Sequence, residues 1–232
     1  NNNASSGGGV YMYHSEAILS NVNIRNNETS ELFDSDTSLK GGGLYINVSS
    51  AVINNVNIFE NSSGTGGGVY CIASPLNMSN AFIYNNTADQ GAGVLTETYP
   101  SSTEIPIFNN ITLTENNAGS GSSFYNNTGT VHINNSIIWD SIDQGDFIPG
   151  LTAEPVLNIS FSNIQGGFEG EGNISTDPML DSDYNLQNGS GCVDSGNPNL
   201  WYNDFDDSRC DMGATGGSRI VPNFIAYNFN EV

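Results

Sequence analysis

The stretch GGGVY at residues 7–11 decides the fold of this chain, because it recurs as GGGLY at 41–45 and as GGGVY at 66–70. A weaker copy, GAGVL, lies at 91–95, and a degraded copy, GSSFY, lies at 121–125. The glycines leave the backbone almost unrestrained, yet in the three strongest copies an apolar residue and a tyrosine follow directly. A glycine corner that recurs in front of a short strand predicts a repeat architecture.

A second strand, led by asparagine, follows each glycine run. Its copies read NVNIRNN (21–27), NVNIFEN (55–61), NAFIYNN (80–86), NITLTENN (110–117) and NSIIWDS (135–141). Apolar and polar residues alternate along these units, and each unit is too thin to bury its apolar face unless neighbours stack on it. We therefore expect an all-β fold with almost no helix, a right-handed parallel β-helix whose turns, or rungs, have about 25 residues.

Asparagine suits the bends of such a fold, because it tolerates left-handed backbone geometry and its amide can hydrogen-bond to the next rung. Beyond about residue 142 the glycine runs stop. We expect rungs over residues 1–180 and an irregular C-terminal cap of the same domain over residues 181–232. Such a cap would hide the end of the stack.

The charge of the chain limits its partners. There are 25 acidic residues against four Lys and Arg, for a formal net charge of −21. Nucleic-acid binding requires clustered cations, so we expect none, and an anionic membrane surface would repel the chain. No apolar run approaches about 18 residues, so we expect no membrane insertion. The acidity either attracts Ca²⁺ or only keeps a repetitive β protein from associating with itself.

Five C-terminal motifs carry a resemblance to known proteins. In order they are IIWDS, SNIQGG, GNISTDPML, DYNLQNGSGCVDSGNP and DFDDSRCDMGATGG. They resemble the end of the choice-of-anchor Q domain proteins, and the repeats resemble those of the pectate-lyase-like superfamily and of polymorphic outer-membrane proteins. The resemblance implies a parallel β-helix, secretion and often a C-terminal anchor, but no single activity.

The acidic loop at residues 204–211 is a candidate calcium site. Its oxygen-bearing side chains, with one from the nearby CVDSGNP motif, are Asp204, Asp206, Ser208, Asp211 and Asp194. Alternate residues of a tight turn can point at one ion, although the loop lacks the glycine and the glutamate of an EF-hand. The alternative is a structural loop whose carboxylates accept hydrogen bonds from turn amides and pair with Arg209.

Tyrosines recur one position after the apolar residue that follows the glycine runs, except in GAGVL. If the rungs stack in register, they form an outward row of Tyr11, Tyr45, Tyr70 and Tyr125, with Tyr13 nearby. Sugar rings stack on such surfaces, so the row is a candidate glycan-binding face. The alternative is that these rings only pack against one another between rungs.

The cysteines fall into two groups. Cys71 follows GGGVY at an apolar position of the alternation, which indicates a buried thiol. Cys192 and Cys210 lie in the C-terminal part, and we consider a disulfide between them, which would suit an exported protein.

Few residues are available for catalysis. The cationic candidates are Lys40, Arg25, Arg209, Arg219, His14 and His132. The two histidines lie in opposite end regions of the expected solenoid, too far apart to cooperate. Asp140 and Asp143 are carboxylates at a turn, where solvation is the simpler interpretation. A lyase or a glycosidase would require more cations or paired carboxylates on adjacent rungs.

The chain is rich in the N-x-S/T sequon of N-glycosylation. The sequon asparagines are Asn3, Asn27, Asn47, Asn61, Asn77, Asn85, Asn110, Asn126, Asn134, Asn158, Asn173 and Asn188. They are either modification sites or a by-product of asparagine turns beside Ser/Thr strands, and the sequence does not separate the two interpretations.

Our leading hypothesis is a non-catalytic structural or adhesion module, extracellular or on the cell surface, that presents a rigid face. Binding of a polysaccharide or a cell-surface glycan is one role considered for that face. One alternative is a polysaccharide-active enzyme, a pectate-lyase-like lyase or a glycosidase. Another is a subunit that self-associates into extracellular filaments through an open sheet edge. No cofactor is implied with certainty, and Ca²⁺ is the one candidate.

Overall fold

The computed structural model describes residues 2–30, 39–99, 104–119, 121–145 and 153–217. Within these ranges the protein consists of strands and turns with one 3₁₀ helix, Leu200–Tyr202. Its parallel sheets form a β-solenoid of about 5 turns, with rungs of about 26 residues. The predicted all-β, parallel solenoid architecture and the near-absence of helix are confirmed.

The strands of the described ranges are short. In chain order they are β1 Asn3–Ala4, β2 Val10–Tyr13, β3 Glu16–Arg25, β4 Glu28–Thr29, β5 Leu44–Asn47, β6 Ser50–Phe59, β7 Val69–Ile72, β8 Leu76–Tyr84, β9 Thr87–Ala88, β10 Val94–Glu97, β11 Ile107–Thr114, β12 Asn117–Ala118, β13 Phe124–Asn126, β14 Thr130–Asn134, β15 Ile137–Trp139, β16 Ile142–Gln144, β17 Val156–Ser160 and β18 Asn163–Ile164.

Two long parallel sheets form the main walls of the solenoid. The sheet that follows the glycine runs has the order β16-β13-β10-β7-β5-β2. The sheet of asparagine-led strands has the order β17-β14-β11-β8-β6-β3, and β15 and β18 extend it from β11. On a third side, β1 pairs with β4 and β9 with β12, and isolated bridges at Ser62 connect these two pairs. Equivalent repeat positions therefore lie directly above one another.

The interior of the solenoid is filled by the inward-facing side chains of every rung. One cluster of buried residues runs from Met12 and Ile24 through Phe108 and Phe124 to Ile164. Cys71 belongs to this cluster and is fully buried, as its position in the alternation predicts. Burial raises the pKa of its thiol to about 12, so it stays protonated and inert.

Asparagine makes the bends within the long strands. One asparagine per rung has a positive φ at the same position of the repeat, as predicted from its tolerance of left-handed geometry. These residues and their φ angles are Asn21 (57°), Asn55 (52°), Asn80 (50°), Asn110 (50°) and Asn135 (50°). The bends turn each strand around the core without breaking the stacking between rungs.

A buried ladder of side-chain amides runs along the inside of the solenoid. Each side-chain amide donates to the side-chain oxygen one rung further on at 3.0 Å, in the order Asn27, Asn61, Asn86, Asn116 and Asp140. The same oxygens accept the backbone N–H of the preceding member at 2.9 to 3.1 Å. The four asparagines are buried. Asp140, which only accepts, ends the ladder.

The glycine runs exist because this interior leaves no room for a side chain. Gly41 has a φ of 67°, which favours glycine. A Cβ on Gly42 would lie 2.5 Å from the carbonyl oxygen of Gly67, and a Cβ on Gly43 would lie 3.0 Å from the amide nitrogen of Asn61. The first glycine therefore adopts the left-handed backbone conformation of the corner. The next two leave space for the backbone of the neighbouring rung and for the asparagine ladder.

The C-terminal segment is irregular, as predicted, and lies along the side of the solenoid at the asparagine bends. The side-chain amide of Asn80 donates to the carbonyl oxygen of Gly216 at 2.8 Å. The amide of Asn110 donates to the carbonyl oxygens of Asp211 and Gly213. Residues 218–232 of the predicted cap lie outside the described residues, and its boundary at residue 180 stays a prediction.

We expect Asn86→Ala to lower the free energy of unfolding by about 2–4 kcal/mol, measured by urea denaturation. The change removes an acceptor for the backbone N–H and side-chain amide of Asn61 and a donor to Asn116. These groups would stay buried without a hydrogen-bond partner, and each would then cost its full desolvation free energy.

Asn57→Ala is the matched control. Asn57 donates to Asn23 at 2.8 Å in a second asparagine pair, which lies at the surface, where water can replace the lost partner. We expect a loss of about 0.5 kcal/mol or less there. Equal losses for the two variants would show that the buried ladder has no special role in stability.

Candidate functional site

The tyrosine row forms, but only its first members are available to a ligand. The ring centroids of Tyr11 and Tyr45 are 5.1 Å apart, and those of Tyr45 and Tyr70 are 5.4 Å apart. Tyr11 is 52% exposed and Tyr13 is 55% exposed, whereas Tyr45 is 8% exposed and Tyr70 is 2% exposed. Tyr45 and Tyr70 therefore lie in the predicted row outside the core, but they are buried and offer no face to a ligand.

The buried tyrosines belong to an apolar cluster on the outside of the sheet. Tyr45 and Tyr70 pack with Ile72, Ala73 and Leu95, and the half-buried Tyr125 lies against the same cluster. The Tyr70 hydroxyl donates to Glu97 at 2.5 Å, and the Lys40 ammonium lies 4.9 Å from the Tyr70 ring centroid. For these rings the alternative of packing between rungs is the better description.

Tyr11 and Tyr13 form an exposed surface, here called the tyrosine platform. Their ring centroids are 6.5 Å apart, and Tyr13 meets the ring of His14 edge-on at 4.3 Å. Burial, followed by the phenol of Tyr11 nearby, raises the pKa of Tyr45, the buried ring beside the platform. The phenol of Tyr45 therefore stays neutral, and its oxygen accepts the side-chain amide of Asn47 at 3.1 Å.

An open groove of about 410 Å³ adjoins the platform at His14. We call it the His14 groove, and its lining includes His14, Ser15, Glu16, Ser49, Pro75 and Glu104. The bend residues Val48 and Ala73 form part of its wall. The arrangement joins exposed rings, hydroxyls and carboxylates within one surface. Such a surface can hold a polyhydroxylated ligand by stacking and hydrogen bonding.

The carboxylates of the groove are functional candidates that the sequence analysis missed. Glu16 lies two residues after His14, so its position near His14 could have been predicted from the sequence of the first rung. Glu104 reaches the groove from the segment before β11, and no repeat pattern could have placed it there. The sequence analysis treated His14 only as an isolated cation.

The structure brings together the aspartates of the acidic loop but satisfies them internally. Asp204 accepts the backbone N–H groups of Asp211, at 3.0 Å, and of Gly217. Asp211 accepts the backbone N–H of Asp194 at 2.7 Å. Asp206 accepts both the N–H and the hydroxyl of Ser208. Asp206 thus closes a turn, whereas Asp204 and Asp211 connect backbone segments that lie 7 to 17 residues apart.

The pKa directions agree with this structural role. Burial raises the pKa of Asp204 and of Asp211, while the hydrogen bonds from Ser208 lower the pKa of the exposed Asp206. Arg209 donates to the carbonyl oxygens of Gly196 and Ser195 and not to a carboxylate, so the predicted pairing with Arg209 is wrong.

Among the described residues, no group of three or more His, Cys, Asp and Glu side chains is placed to hold a metal ion. The carboxylates of Asp204, Asp206 and Asp211 already accept backbone N–H groups, which favours the structural alternative over calcium binding. The calcium site stays a prediction without geometric support.

Cys192 and Cys210 are buried free thiols, so the considered disulfide is not formed in this structure. The Cys192 sulfur accepts the Asn163 amide at 3.0 Å, and the Cys210 sulfur accepts the Asn110 amide at 3.3 Å. Burial raises the pKa of Cys210 to about 12. Each thiol therefore contributes to seating the C-terminal segment on a different rung.

The residues considered for catalysis are dispersed. Asp140 is the acceptor at the end of the asparagine ladder, and the exposed Asp143 binds the backbone N–H of Gln144. His132 lines a separate groove of about 250 Å³ together with Glu169, away from His14. Arg219 lies outside the described residues. The structure thus assembles no site from the predicted catalytic candidates that it describes.

Large exposed apolar side chains occur on the loop around the 3₁₀ helix. Leu200 and Trp201 are more than four-fifths exposed, and Phe205 follows on the same loop. The sequence analysis did not single them out. These side chains belong to the C-terminal segment, whereas the tyrosine platform belongs to the first rung.

A comparison with family models, with curated proteins and with solved structures finds no match in any of the three. The parallel solenoid is therefore established by the structure alone. Within the described ranges, no helix has the length and apolarity required to cross a bilayer.

We expect Asp140→Asn to remove a pH dependence of stability. Burial raises the pKa of Asp140 from its ordinary 3.8, so ionisation is disfavoured in the folded state. Its contribution to stability is present below the unfolded pKa and is lost as pH rises through the folded pKa. As pH rises above about 4, the ordinary pKa of an aspartate, the wild type should therefore lose stability relative to the variant.

The measurement is the free energy of unfolding of both proteins at several pH values. Asp143→Asn is the control, because this carboxylate lies exposed outside the ladder. The difference in unfolding free energy between the wild type and the Asp143→Asn control should not change with pH in this way. A constant difference between wild type and Asp140→Asn across the range would contradict the assigned role of Asp140.

Proposed function

We propose that the protein is a non-catalytic β-solenoid that binds glycans at the tyrosine platform and the His14 groove, outside the cell or on its surface. The observation that carries the proposal is the joint exposure of Tyr11 and Tyr13 at the edge of a polar groove. Exposed rings in pairs offer stacking faces, and nearby hydroxyls and carboxylates orient sugar hydroxyls.

The charges of the groove favour one class of sugar. Glu16 and Glu104 lie in its wall, and the whole chain carries a formal charge of −21. Uronate or sulfated polymers would be repelled, whereas neutral sugars or amino sugars would be accepted. This preference argues against a pectate-like substrate.

Two further considerations support a module without catalysis. Asp140, Asp204 and Asp211 have raised pKa values, yet each accepts hydrogen bonds from amides of the fold. Such carboxylates act as structural acceptors. The resemblance of the repeats to the pectate-lyase-like superfamily and of the C-terminal motifs to choice-of-anchor Q domain proteins supports secretion.

The enzyme and filament alternatives remain open to experiment. Turnover of any polysaccharide by the purified protein would replace the proposal with a lyase or a glycosidase. Filaments of the concentrated protein in electron micrographs would support a self-assembling subunit.

The test is an array of neutral, amino and uronate glycans, followed by calorimetry with the best neutral or amino sugar. We expect Tyr11→Ala and Tyr13→Ala each to weaken binding about tenfold, equivalent to about 1.4 kcal/mol. Loss of a stacking face is the reason, since each ring is half exposed and Tyr13 contacts His14 of the groove.

Trp201→Ala is the matched control, because Trp201 is an exposed ring that lies on the C-terminal loop. It should leave the affinity unchanged. Binding confined to uronate polymers, or an affinity that depends on Trp201 and not on the tyrosines, would contradict the proposal.

A further inference from the structure

The structure separates the asparagines of the twelve N-glycosylation sequons by burial, and three of them are half-buried: Asn47, Asn134 and Asn173. Four of their asparagines are buried: Asn27, Asn61, Asn110 and Asn126. Five are exposed: Asn3, Asn77, Asn85, Asn158 and Asn188. The repeat therefore generates sequons both inside the fold and on its surface.

The buried asparagines use their side-chain amides to hold the solenoid together. Asn61 donates one proton to the carbonyl oxygen of Ile24 at 2.9 Å and the other to Asn86 at 3.0 Å. Asn126 donates to the carbonyl oxygens of Gly129, at 2.7 Å, and of Val156. No amide proton of Asn61 is free for substitution.

Asn110 and Asn27 also use their side-chain amides within the fold. The amide of Asn110 donates to the carbonyl oxygens of Asp211 and Gly213, which seats the C-terminal segment. The amide of Asn27 donates to Asn61 at 3.0 Å. Space is also lacking, because a Cβ on Gly9 would already lie 2.8 Å from the amide nitrogen of Asn27.

N-glycosylation changes this nitrogen directly. The asparagine Nδ2 bonds to the first carbon of a sugar, displaces a lipid diphosphate from a lipid-linked oligosaccharide and releases a proton. An amide hydrogen is thereby lost, and a large polar group is attached. At a buried ladder position the product would lose a hydrogen bond and would require the polar sugar to be desolvated.

We propose that this chain has to fold out of reach of an N-glycosyl transferase, and that the folded protein offers only the exposed sequons as acceptor sites. The fold itself imposes the order of events. A transferase that meets the unfolded chain modifies buried sequons and blocks folding, whereas one that meets the folded protein reaches only surface asparagines. Asn85 is the exposed counterpart of its buried neighbour Asn86, and its side-chain amide donates to the Tyr184 hydroxyl at 3.5 Å.

The first experiment uses folded protein produced in a bacterial host without the transferase. The protein is incubated with purified oligosaccharyl transferase and a lipid-linked oligosaccharide, and the sites are mapped by mass spectrometry. We expect glycan only among the five exposed sequons. Glycan on any buried or half-buried sequon of protease-resistant protein, or on none of the exposed five, would overturn the assignment.

The second experiment tests the order of events. The full chain is translated into microsomes with an active transferase, or with an excess of a sequon tripeptide that competes for it. We expect the active transferase to lower the protease-resistant fraction about tenfold or more. Replacing the five exposed asparagines with glutamine should leave this loss in place. A protease-resistant fraction that does not change would overturn the proposal.

Discussion

The hydrogen bond from one buried asparagine side chain to the next is the interaction on which the rest of the structure depends. Each ladder amide fills the space above a glycine run, and each glycine run exists because a side chain there would collide with the ladder or with the next rung. The two features therefore require one another. A carboxylate ends the ladder, since Asp140 only has to accept.

The register that the ladder fixes between rungs aligns equivalent surface side chains into rows. Because equivalent residues stack directly, Tyr11, Tyr45 and Tyr70 form one row, and its burial changes along the stack. The bend asparagines form another row, and three of them hold the C-terminal segment: Asn80, Asn110 and Asn135. Rungs with similar sequences therefore differ in the surface that they expose, because the non-repetitive C-terminal segment covers some of them and not others.

Sequence alone predicted the features that the repeat controls. The glycine runs and the alternation predicted parallel stacking, and asparagine at the bends predicted positive φ. Burial of the tyrosines was not predictable, because it depends on packing outside the sheet by residues such as Leu95 and Ala73. The position of Glu104 in the groove and the hydrogen bonds that Asp204 accepts could not be predicted either, because both depend on contacts of non-repetitive segments.

The most direct test of this account is side-chain amide hydrogen exchange, followed by nuclear magnetic resonance. If the ladder holds the solenoid together, the side-chain amides of Asn61, Asn86 and Asn116 should exchange only on global unfolding, with protection equal to that of the core strands. The surface amide of Asn57 should exchange rapidly. Ladder amides that exchange as fast as that of Asn57, in protein whose core strands stay protected, would contradict the account.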